Sequence, residues 1–185
     1  MNDSVPDRYR RLATRFTDLI DVVPADRWDA ASPCEGWSVA DIVGHVVTTE
    51  LDFFGRQPFG AAAANVDIAD PVAAWPGVRD LMQSALDDPV TARHAFDGYF
   101  GPTTFAATLA DFYCADLVVH AWDIARAAGL DMFTAIDASE MVAIRAGFQQ
   151  IEATMRQPGL FGAALDVPSD ATEQTRFLAF LGRAG

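Results

Sequence analysis

Two histidines and an aspartate carry the most chemistry in this sequence. Asp116 and His120 stand four residues apart in a strongly apolar stretch from Phe105 to Trp122. On a helix that spacing puts both side chains on one face, as two ligands drawn from one helix require. His45, in a separate apolar segment, is the natural third ligand. Two imidazoles and a carboxylate suit a divalent metal ion, and three protein ligands leave a coordination position open for water or substrate. The same spacing equally fits a plainer arrangement, in which Asp116 hydrogen-bonds His120 and His45 is satisfied separately in the core. Asp41, four residues before His45, competes as a ligand, but its place at a helix start suits a cap with a structural or supporting role. Thr48 and Thr49 are candidates to line the pocket, and Asp123 to orient a ligand or bond to the loop around Trp37. Of the three histidines, His94 lies among Pro, Gly and Asp residues that mark a connection, and it is not expected to bind metal. Arg126 reads as a surface residue or a partner for Asp123, and Cys34, beside Glu35, lacks the positive surroundings that activate a thiol.

The elements that must position these residues are helical. Tyr9, Leu12, Phe16, Leu19, Ile20 and Val23 recur at helical spacing, which predicts a first helix over 7–23 stopped by Pro24. Ser38-Val39-Ala40-Asp41 has the pattern of a capping box and opens a second helix to about Phe54, with His45 in its second turn. Residues 55–69 read as a connection, and Asp70-Pro71 caps a third helix to about Leu86 that Pro76 must bend or delay. Residues 88–103, with Pro89, Gly98, Gly101 and Pro102, read as a loop before a fourth helix over 104–128. That helix is apolar almost all round and belongs at the centre, where Asp116 and His120 are costly without partners. Asp137-Ala138-Ser139-Glu140 offers a second capping box, and Met141, Ile144, Phe148, Ile151 and Met155 form a helical seam ending near Arg156. Pro158-Gly159 breaks the chain before a short helix over 171–181. The whole, 1–185, reads as a single all-α domain, with 157–185 a short C-terminal extension packed on it.

Composition narrows the functions. About half the 185 residues are apolar, with four Trp and thirteen Phe, enough for a substantial core. The net charge of −13 opposes binding to a phosphate backbone, so nucleic acid is not an expected partner. All thirteen basic residues are arginine, which excludes Schiff-base chemistry, a P-loop lysine and a lysine general base. The most apolar stretch is interrupted by Asp111, Asp116 and His120, so no membrane span is expected. The N-terminus does not read as a secretory signal, and two cysteines are too few for a disulfide framework, so a cytoplasmic location is expected.

The stretch Ser32-Pro33-Cys34-Glu35-Gly36-Trp37-Ser38-Val39-Ala40-Asp41 through His45, together with Asp116-Leu117-Val118-Val119-His120-Ala121-Trp122-Asp123, resembles the DinB-like metal-binding superfamily. Within it the chain is similar to the mycothiol-dependent maleylpyruvate isomerase-like branch. The resemblance implies a four-helix bundle with one long crossover, a zinc or nickel ion held by His45, Asp116 and His120, and a low-molecular-weight thiol such as mycothiol as co-substrate. In the isomerase the middle ligand is a glutamate, where this chain has the shorter Asp116. The isomerase also has a separate C-terminal domain that contributes to catalysis, so maleylpyruvate isomerisation itself is not expected here. The expected function is a metal-dependent thiol transferase or isomerase-like enzyme acting on a small electrophile. Metal-assisted hydrolysis, and a non-catalytic helical protein that binds a small ligand or forms a homodimer around a vestigial site, remain the alternatives.

Overall fold

The computed structural model describes residues 3–156 and 163–184, with side chains at 150 and 153–155 outside the description. Helix α1 (Val5–Ile20) starts where Ser4 Oγ accepts the Asp7 amide and Pro6 presets the first turn, and it buries Tyr9, Leu12, Phe16 and Leu19. Helix α2 (Val39–Gly55) opens on a reciprocal capping box: the Asp41 amide donates to Ser38 Oγ at 3.2 Å and the Ser38 amide to Asp41 Oδ2 at 2.8 Å. Asp70 caps α3 (Pro71–Asp87), which continues past Pro76, one turn inside its start, so that Pro76 does not delay it.

The stretch expected to be a loop before the fourth helix is in fact ordered. Asp88 caps the single turn α4 (Pro89–Ala92), and β1 (Ala95–Gly98) pairs antiparallel with β2 (Gly101–Thr104). Here Gly and Pro act as turn and edge residues of a hairpin, because Gly101 adopts a φ of 111° that a residue with a side chain resists. The hairpin leads into α5 (Phe105–Thr108), a π-helical stretch over Leu109–Tyr113, and α6 (Cys114–Ala128), which ends at Gly129 in the left-handed conformation. The connection after α2 likewise contains a 3-10 stretch, Gly60–Asn65.

Helices α1, α3, α2 and α6 pack in a closed circuit, each against the next, around Phe16, Ile42, Met82, Leu117 and Ile124. Trp75 on α3 meets Phe16 edge-on at 5.0 Å, and its indole N–H donates to Thr17 Oγ1 at 2.9 Å, satisfying the polar end of a buried ring. Deep between α1 and α2, Tyr9 donates to Glu50 Oε2 at 2.6 Å, while Glu50 Oε1 is buried without a partner. Burial pushes the Glu50 carboxyl up to about 8.

Helix α7 (Ala138–Met155) packs on α6 and on α8 (Glu173–Phe180), with Met141, Ile144 and Phe148 buried and Ile151 half-buried. The side chain of Met155 and the break at Pro158-Gly159 lie outside the described residues. The second expected capping box does not form. Asp137 makes no side-chain cap, and the Glu140 carboxylate turns to α1, taking bonds from Arg8 Nη2 at 2.6 Å and Arg11 Nη2 at 2.8 Å. Burial alone would raise the Glu140 carboxyl, but the two guanidinium groups outweigh it and hold the group below its usual range. Among the described residues the fold is therefore all-α apart from one short hairpin. No helix among the described residues is long and apolar enough to cross a membrane.

Candidate metal centre

Helix α2 buries Ile42, Val43, Val46 and Val47, which turns His45 to the edge of that face, toward α6. On α6, Asp116 and His120 occupy successive turns of one face. The π-helical stretch just before α6 widens the helix by one residue per turn and so sets the rotation at which that face meets α2. His45, Asp116 and His120 thereby offer ligand atoms that all lie within 4.8 Å of one another, across 75 residues of sequence. His45 Nε2 stands 3.7 Å from Asp116 Oδ2, and the two imidazole rings meet edge-on at 5.1 Å. Trp37 walls the cluster, its ring 4.8 Å from that of His45 and 6.2 Å from that of His120. The side chains of His45 and Asp116 remain 29% and 38% exposed, so the cluster opens to solvent on that side.

His120 is held from behind. Its Nδ1 pairs with Asp123 Oδ2 at 3.1 Å, and Asp123 is fully buried. With Nδ1 committed as donor, Nε2 is the ring atom left to act as a ligand, the usual arrangement of a carboxylate behind a metal-binding imidazole. Arg183 closes on the same carboxylate with two bonds, Nε to Oδ1 at 2.7 Å and Nη2 to Oδ2 at 2.8 Å. Burial by itself would raise the Asp123 carboxyl, but the bonds from His120 and Arg183 outweigh it and keep the group below its ordinary value. Cys34 Sγ donates to Asp123 Oδ2 at 3.3 Å and receives Arg183 Nη2 at 3.3 Å. A positive group therefore does stand beside this thiol, against the expectation from sequence. Burial and the Asp123 charge still push the Cys34 thiol up to about 12.

The remaining candidates fall elsewhere. The Asp41 carboxylate is exposed and engaged in the cap of α2, and it joins neither group of possible ligands among the described residues. Thr48 and Thr49 turn their hydroxyls onto the α2 backbone, to the carbonyls of Gly44 and His45. His94, just before the hairpin, packs edge-on against Phe59. Arg126 lies over Trp122, and the partner of Asp123 is Arg183. Sequence reasoning missed Arg183 altogether, since it stands 60 residues beyond Asp123 with no local pattern linking the two.

The donor set fits a divalent ion. Two donors each held ~2.1 Å from a tetrahedral ion stand about 3.4 Å apart, and His45 Nε2 and Asp116 Oδ2 lie 3.7 Å apart, so the shorter aspartate reaches.

An all-α fold with two histidines and a carboxylate converging between two helices defines a DinB-like protein. The chain belongs to the family described as the mycothiol maleylpyruvate isomerase N-terminal domain, whose model matches residues 9–125. It is similar to an uncharacterized protein of Mycobacterium tuberculosis, 27% identical over 187 residues and covering 95% of each chain. A second uncharacterized protein of that organism is 29% identical over 136 residues, 60% of this chain and 51% of its own. No solved structure matches the chain.

Proposed function

We propose that this protein is a divalent-metal-dependent enzyme that uses a low-molecular-weight thiol such as mycothiol on a small electrophile, in a thiol-transferase or isomerase-like reaction. The observation that carries the reading is the convergence of His45, Asp116 and His120 on the solvent-open side of a pair of helices. Family membership supports the thiol. His45, Asp116 and His120 would hold a zinc or nickel ion. Bound there, the ion would supply a positive charge that favours the thiolate, the nucleophilic form of a thiol.

The protein's own groups do the rest. Asp123 keeps the proton on His120 Nδ1 and aims Nε2 forward, and Arg183 keeps Asp123 from turning away. Trp37 shields one side of the cluster from water. Tyr113, one turn before Asp116, lines a separate cleft of about 1070 Å³ with Phe53, Phe96, Phe112 and Arg56, and none of the three ligands lines it.

The test is metal content joined to thiol consumption. Protein purified without chelator should hold close to one equivalent of zinc or nickel, and His45→Ala and His120→Ala should each lose it. The metal-loaded protein should accelerate addition of mycothiol to a reactive small electrophile, and the two variants should not. Metal-free wild-type protein that stays empty when zinc is added would overturn the reading.

A further inference from the structure

A second group of metal-ligating side chains lies behind the first. Cys34 Sγ, Asp123 and His120 also offer donor atoms within 4.8 Å of one another, with Sγ 3.3 Å and Nδ1 3.1 Å from Asp123 Oδ2. Thiolate, imidazole and carboxylate together form a zinc-type donor set. A cation already stands in it: the Arg183 guanidinium bonds both Asp123 oxygens, at 2.7 and 2.8 Å, and reaches Cys34 Sγ at 3.3 Å.

That placement is built rather than incidental. Gly182, at a φ of 78°, turns the chain at the end of α8, where the Arg183 amide donates to Leu178 O and Nη1 to Leu181 O. The guanidinium is fixed, mostly buried, and does not lose its proton at working pH. It also lies beyond residues 9–125, the part matched by the family model.

His120 belongs to both groups. An ion in the rear group would displace the guanidinium from Asp123, release the Cys34 proton to solvent, and take the Nδ1 lone pair. The ring proton would then sit on Nε2, and His120 would no longer offer a lone pair toward His45 and Asp116. We infer that Arg183 is the resident cation of a latent Cys34–His120–Asp123 metal site. By filling that site it confines a divalent ion to the His45–Asp116–His120 side and fixes the His120 tautomer. The inference rests on the reading of the front cluster as a metal centre.

Cobalt(II) titration of the full chain tests it, because a cysteine thiolate bound to cobalt gives a charge-transfer band in the near ultraviolet. Wild type should take one equivalent without that band. Arg183→Met and Arg183→Gln, which remove the charge, should each show the band, as the ion moves to the Cys34 side and takes His120 with it, and adding Cys34→Ser should abolish the band. Arg183→Lys, which restores a cation, should lose the band again. Absence of the band in the two neutral variants, folded by circular dichroism, overturns the inference, as does a band in wild type. Wild type that takes no cobalt while the neutral variants show the band would defeat the front-site reading and leave the role of Arg183 standing. Nitrogen-15 imidazole spectra of wild type give a check that needs no variant: the His120 proton should be on Nδ1, and a proton on Nε2 overturns the inference.

Discussion

Glu50 should make the protein less stable as pH rises through neutrality, and Glu50→Gln should remove that dependence. The carboxyl is almost completely buried, one oxygen takes the Tyr9 hydroxyl at 2.6 Å, and the other has no partner. Its ionisation lies at about 8, against an ordinary value of 4.5. Between those values the unfolded chain has released the proton and the folded chain has kept it, so unfolding is favoured by about 1.4 kcal/mol for each pH unit gained. The effect is absent below the ordinary value and saturates above the folded one. Glutamine keeps an acceptor for Tyr9 and cannot ionise, at a fixed cost of roughly 1–3 kcal/mol for a buried amide without a partner. The sign of the difference at a single pH is therefore not the test; its slope is. Urea unfolding of both proteins at about pH 5.5 and 7.5 should show Glu50→Gln gaining about 2.7 kcal/mol relative to wild type over that interval. The other titrating groups are common to both proteins and cancel. A difference that stays constant across the interval would show that Glu50 ionises in the folded state much as it does in water, and would refute the reasoning.

Asp116→Asn should lower zinc affinity by well over 100-fold, beyond the 10–100-fold typical of losing a group that only supports a ligand, while Asp116→Glu should retain zinc; near-normal binding by the asparagine variant, measured by competition with a chromophoric chelator, would exclude direct ligation. His94→Ala should leave metal content unchanged, since the ring packs on Phe59 away from both ligand groups, and a loss matching that of His120→Ala would contradict this. Gly129→Ala should cost roughly 1–2 kcal/mol, because the residue ends α6 at a φ of 74° that a side chain resists. The urea midpoint should fall with an unchanged slope.

Much of the helical framework was legible because its signals are local. Ser38 with Asp41, and Asp70 with Pro71, mark helix starts through bonds that span three residues, and the spacing of Tyr9, Leu12, Phe16 and Leu19 encodes a buried face whatever it packs against. The Asp116–His120 pair was legible for the same reason, as neighbours on one helix face. Local rules failed where a distant group competed for the same atoms. Glu140 matches a cap in sequence, yet two arginines of α1 offer its carboxylate stronger, charge-assisted bonds than a backbone amide does. The glycines and proline of residues 98–102 punctuate a hairpin as readily as a loop, and only the pairing of Ala95–Gly98 with Gly101–Thr104 distinguishes the two. The sequence by itself thus pointed to an all-α chain and named three candidate ligands for one ion. The tertiary structure decided that His45 meets the other two across 75 residues, that Asp123 stands behind His120, and that Arg183 closes behind Asp123. No short-range pattern records those contacts, because a buried charge takes its partner from whichever element the packing brings within reach.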